Sequence, residues 1–167
     1  MAAMSISQLA EFVGRCQARA KDAEKTLLKT FSFVPDDKLK WSPASTARTS
    51  LAIVAHCGMA NEFFAGLVAG KAMPYMPTPA ELKAMELKFE ASITDRADAL
   101  RRLQASTQAF TEALATVTPE RCATSPDSPF GSAPMPFWME LAGAHVEYHT
   151  AQINYLQTIW GDVVDHM

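Results

Sequence analysis

Residues 137–161 read FWMELAGAHVEYHTAQINYLQTIWG. Trp138, Leu141, Ala142, Ile153 and Leu156 recur there at steps of three and four, and His145, His149 and Gln152 fall on the same stripe. That spacing is the mark of a helix with one face turned to a core, and Gly161 is its stop signal. At 1.5 Å per residue, a helix from about Phe137 to Trp160 is roughly 36 Å long. In a chain of 167 residues, an element of that length is a full member of a helical bundle.

Three more helices of similar length lie upstream. In the first, Ile6, Leu9, Phe12, Val13, Cys16, Ala20, Ala23, Leu27 and Leu28 form the inner stripe, Ser5 and Gln8 fit a capping box, and Pro35 ends it. The second runs from about Ser50, read as its N-cap, to Ala69, with Gly70 as stop. A short helix follows the Pro-rich MPYMPTP, started by Thr78, Pro79 and Glu81. Ser92, Thr94 and Asp95 then begin a helix with Ala97, Leu100, Leu103, Thr107, Phe110, Leu114 and Val117 inward, closed by Pro119. Two Pro-rich loops, 35–49 and 122–136, complete the chain; Trp41 is read as an anchor onto the bundle. No run alternates with period two, so strand content is confined to at most a hairpin within 122–136. The expected fold is all-α: a four-helix bundle in one domain, residues 1–167, with an additional short helix.

Composition narrows the function. The chain is 49% hydrophobic and 20% charged, enough for a real core, with net charge -3. It has no basic stripe to drive nucleic-acid binding. The longest uncharged helical stretch, Thr49 to Asn61, is too short for a bilayer, and the start of the chain lacks the pattern of a secretory signal. Cys16, Cys57 and Cys122 form neither a disulfide framework nor a metal knuckle. A soluble cytoplasmic protein is the expectation, with no nucleic-acid or membrane partner. With 7 glycines there is no glycine-rich phosphate loop, and no G-x-S-x-G elbow.

The chemistry lies in the histidines. His145 and His149, four apart, project from one helix face, and His56 sits mid-helix among Val54, Ala55, Met59, Ala60 and Phe63. A buried imidazole needs a partner for each ring nitrogen. A divalent metal bound by three imidazoles at about 2.0–2.1 Å meets that need and leaves a coordination position open. On spacing alone the three read equally as packed core residues or as ligands.

FSFVPDDKLKWSPASTARTSLAIVAHC, with a helix-centred His, and GAHVEYHTAQINYLQTIWG, with H-x3-H-x2-Q, resemble the DinB-like family in the right order over about residues 9–162. The resemblance implies an up-down-down-up bundle with a divalent metal, zinc or nickel, on His56, His145 and His149. It further implies a small-molecule substrate, a homodimer, and kinship with metal-dependent thiol S-transferases that employ a low-molecular-weight thiol.

Functional classes stay open: a metal-dependent transferase or hydrolase-like enzyme, a non-catalytic metal-binding bundle, or a dimeric structural protein. Ligating imidazoles must be neutral, so metal release is expected below about pH 6.5. Among accessory residues, Gln152 reads as a hydrogen-bond partner for a ligand ring or as packing. Glu147 points away from the histidine face and Cys57 is a buried hydrophobe. Tyr148 and Tyr155 read as core or pocket wall, His166 as frayed tail, Asp36 and Asp37 as turn residues, and Arg48 as a surface residue or a contact for an anionic substrate.

Overall fold

A computed structural model describes residues 4–71, 73 and 75–167. Helix α1 spans Ile6–Ser32, α2 Ser50–Val68, α3 Pro79–Ser92, α4 Arg96–Ala115, α5 Pro119–Cys122 and α6 Met135–Ile159. The capping signals act where the sequence puts them. Ser5 and Gln8 close a reciprocal box at α1, Thr78 and Glu81 do the same at α3 behind Pro79, and Asp95 caps α4. At α2 the cap is Thr49, whose hydroxyl accepts from the Ala52 amide, because Ser50 is already helical and fully buried. Pro119 does more than end α4. With Thr118 as cap it opens the single-turn α5, and no strand occurs among the described residues of 122–136, so the hairpin allowed there is absent.

Four helices make the bundle. α1 packs on α6 and α4, and α2 packs on α4 and α6. Interhelical hydrogen bonds give the directions. Glu147 meets Arg19 and Gln157 donates to the Thr30 carbonyl, so α1 and α6 run parallel. Asn61 donates to Thr107, and the Gly58 backbone lies beside Leu103, so α2 and α4 also run parallel. Gln17 donates to the Thr111 carbonyl while Arg96 donates to that of Phe31, which sets α4 against α1. The topology is up-down-down-up, as the resemblance implies.

The core divides into two clusters of buried residues. One gathers Phe12, Phe64, Phe110, Met135, Trp138 and Met139; the other Leu27, Phe31, Ile53, Leu103, Val146 and Ile153. Trp41 packs edge-on against Trp160 at 5.4 Å, anchoring the first loop. α2 is longer and more apolar than its uncharged stretch suggests. Apolar helix continues past an exposed Glu62 to Val68, long enough by composition to cross a membrane, yet 72% of its most apolar window is buried inside the bundle. Its apolarity is that of a core helix.

The C-terminal segment departs from expectation. His166 is not frayed: it is 7% exposed, stacks on Phe33 at 4.0 Å and meets Asp162 at 2.8 Å, while its carbonyl accepts from buried Thr30. Tail residues usually fray for want of partners; these have partners on α1. Asp36 turns the chain as expected and also accepts from Arg96, which caps the carbonyl end of α1.

The α1–α6 contact is tightest at Gly143, where an added Cβ would meet Arg19 Cγ at 2.9 Å and the Arg19 carbonyl carbon at 3.3 Å. Gly14, exposed within α1, has nothing within 4 Å. Gly143→Leu is expected to cost about 1–3 kcal/mol and lower Tm by several degrees. Gly14→Ala should raise stability by up to about 1 kcal/mol. Thermal denaturation of the two variants checks the pair, and equal effects would contradict the packing.

Candidate metal centre

Because α2 and α6 are antiparallel neighbours, the middle of one faces the middle of the other. His56, His145 and His149 therefore meet, with ring centroids 5.1 Å (56–145), 4.9 Å (56–149) and 4.4 Å (145–149) apart. One nitrogen from each falls in a set lying within 4.8 Å of one another. His56 and His149 are buried and His145 is half-buried, beside Phe64.

The hydrogen bonds fix how one ring is presented. His149 Nδ1 lies 2.7 Å from Gln152 Oε1. An amide oxygen can only accept, so Nδ1 carries the proton and Nε2 turns a lone pair inward. That Nε2 is 3.2 Å from His145 Nε2, about the separation of two donors held at ~2.0–2.1 Å on a common ion. His56 Nδ1 and His145 Nδ1 are buried without a hydrogen-bond partner. Three imidazoles converging in the core, two of them with their Nε2 atoms 3.2 Å apart, fit a soft-to-borderline cation better than they fit a self-contained polar core.

Around His56 lies a group the sequence reading did not assemble. Arg48, the residue before the α2 cap, donates through Nε to Glu90 at 2.8 Å and through Nη2 to Glu86 at 2.9 Å. Glu90 Oε1 stands 3.4 Å from His56 Nδ1, long for a hydrogen bond. Burial alone would raise the Glu90 carboxyl; its contacts with His56 and Arg48 outweigh that and hold it below the usual range. Arg48 is thus no free surface residue: it is paired with two carboxylates at the edge of the site. Glu86 and Glu90 sit four apart on α3, the one signal that marks them as sharing a face. With His56 they form a second set of donor atoms within 4.8 Å, but Arg48 already occupies both carboxylates.

The remaining candidates sort by position. Glu147 turns away and forms a two-pronged pair with Arg19, at 2.9 and 2.6 Å. Cys57 is fully buried, its thiol pushed well up by desolvation. Tyr148 and Tyr155 are neither core nor pocket wall: both are largely exposed, 64% and 68%, because the inner stripe of α6 is filled by Val146, His149, Ile153 and Leu156. His56 and His145 open onto a cavity of about 690 Å³ roofed by α3 and by residues 129–133.

Burial drives the His145 pKa down to about 3, helped by its two histidine neighbours, and that of His149 to about 4, partly opposed by Gln152. Proton competition for these nitrogens in the folded protein therefore sets in well below the free-imidazole value of about 6.5 that sequence alone suggests. For the metal-free protein the unfolded chain binds more protons between those values, so stability rises with pH across that window. Stability should be full above about pH 6.5 and fall as the pH drops towards 3. Urea titrations of metal-stripped protein check this, and His145→Gln should flatten the slope.

The chain matches the model of the DinB superfamily over residues 19–153. No curated protein matches it in sequence. Among solved structures it is similar to YfiT from Bacillus subtilis, described as "a probable metal-dependent hydrolase with an unusual four-helix bundle topology". That match has TM-score 0.71 and 18% identity and covers 96% of this chain and 92% of that one. A mycothiol-dependent maleylpyruvate isomerase matches at TM-score 0.67 and 12% identity over 84% of this chain, which spans only 60% of the isomerase. The sibling lethal factor precursor DfsB matches at TM-score 0.71 and 17% identity over 90% and 98% of the two chains. At such identities the solved structures establish the fold, and the family match establishes membership: the chain belongs to the DinB superfamily.

Proposed function

We propose that this protein binds one divalent metal ion, zinc or nickel, through His56, His145 and His149, and acts on a small molecule by metal-dependent hydrolysis or thiol transfer. The observation that carries the reading is the convergence of three imidazoles at the edge of a cavity. Three protein donors are the pattern of an open, catalytic site; structural sites use four. YfiT is described as a probable metal-dependent hydrolase and the isomerase as mycothiol-dependent, which supports metal- and thiol-dependent chemistry in this reading.

A bound ion would lower the pKa of a coordinated water or thiol and so supply a nucleophile near neutral pH. The protein's own groups prepare the site. Gln152 holds His149 in the tautomer that leaves Nε2 free to donate. Arg48 keeps Glu90 ionised beside His56 Nδ1, which favours a proton on that nitrogen and a lone pair on the other. Phe64 and Trp138, edging the cavity near His145, exclude water from the reacting end.

Elemental analysis of purified, metal-loaded protein should give one ion per chain. His56→Ala, His145→Ala and His149→Ala should each lose it; stoichiometric metal in any of them would overturn the assignment. Gln152→Leu and Glu90→Gln, which leave the ligands in place, should weaken zinc binding about 10- to 100-fold, read by competition with a chelating dye. Metal-dependent turnover is checked by screening low-molecular-weight thiols with electrophiles, and simple esters and amides. Loaded protein inert to all of them would favour a non-catalytic metal-binding role.

A further inference from the structure

The cavity beside the histidines is about 690 Å³, within the range of small-molecule sites. What it can hold follows from which of its polar groups are still free. Arg48 is ion-paired to Glu90 through Nε and to Glu86 through Nη2, and Lys83 stands 3.6 Å from Glu86. The Trp138 indole N–H donates to the Ala133 carbonyl. The charged side chains at the cavity's edge are thus paired with one another, and His56 and His145 supply the remaining polar edge of its lining.

The rest of the wall is hydrocarbon, aromatic ring and thioether. Phe63 stands edge-on to Phe130 at 6.0 Å, and Met59 and Met85 add flexible, polarisable surface. An anionic group placed here would be desolvated beside Glu86, with Arg48 already paired to Glu86 and Glu90. A polyhydroxylated ligand would leave its hydroxyls without partners.

We propose that this cavity receives an uncharged, mainly apolar small molecule, seated between α2, α3 and the start of α6 with its one polar group turned to His56 and His145. This deepens the reading of the site given above and rests on it for the chemistry. The apolar seat itself needs no metal.

The test uses metal-stripped, full-length protein and two probes that differ by one charge, N-phenyl-1-naphthylamine and 8-anilino-1-naphthalenesulfonate. The neutral probe should bind saturably with one site per chain, at least about tenfold tighter than the sulfonate. Met85→Trp, at a half-exposed position on the wall, should weaken the neutral probe about tenfold or more by filling space while the protein stays folded by circular dichroism. Leu141→Trp repeats the test from α6. Glu86→Gln, which releases part of Arg48, should tighten the sulfonate and leave the neutral probe unchanged. Equal or tighter binding of the sulfonate, no saturable binding of the neutral probe, or binding indifferent to both tryptophans would overturn the proposal. Zinc titration of the same preparations separates the two readings. Probe binding lost with zinc retained removes this inference alone; zinc lost with probe binding retained removes only the metal assignment.

Discussion

A neutral imidazole has one nitrogen that donates and one that accepts, and burying it without partners for both is costly. Here three such rings share one core, and the protein supplies only part of what they need. Gln152 satisfies His149, the Nε2 atoms of His145 and His149 face each other, and two Nδ1 atoms have no hydrogen bond. A core optimised for stability alone would replace these rings with hydrocarbon. Their presence is what gives the bundle a site, and the surrounding structure is arranged to keep them together: α2 set antiparallel to α6, and Phe64 edge-on to His145.

The roof over that site follows from chain direction. α2 and α4 are parallel neighbours, so the chain must return the length of the bundle between them. Part of that return is α3, which packs on α2. It brings Glu86 and Glu90 to Arg48 and His56, and it closes one side of the cavity with Leu82 and Met85. The crossover is therefore a wall of the site as well as a connection. Its own exposed apolar residues, Met85 and Leu87, each 52% exposed, mark how little of this helix is core.

Much of this was legible in sequence, for a physical reason in each case. Helix periodicity and caps are local, so Ser5–Gln8, Thr78–Glu81 and Asp95 could be read directly; so could the His145–His149 pair, since four residues is one turn. The meeting of His56 with that pair depends on which helices are neighbours, which periodicity does not contain; the family resemblance supplied it. Arg48, Glu86 and Glu90 stayed hidden because their association is tertiary and each alone reads as a solvated charge. His166 was misread because position near a terminus says nothing of Phe33 and Thr30 at the end of α1 or Asn154 on α6, its partners. Tyr148 and Tyr155 were misassigned because large aromatics usually cover a core, and here the neighbouring stripe had already filled it.

The parallel pairing of α1 with α6 carries a cost in order of assembly. Gln157 reaches Thr30 across 127 positions of chain, and His166 reaches it across 136. On a ribosome emitting roughly 5–20 residues per second, α1 is finished several seconds before its largest partner exists. Through that interval the nascent helix has only the earlier helices to pack on, chiefly α4, with Leu27 and Phe31 short of their final cover. The bundle is thus sealed only when α6 has left the exit tunnel, and the interval before it arrives is when this chain is most open to holdase chaperones and to aggregation.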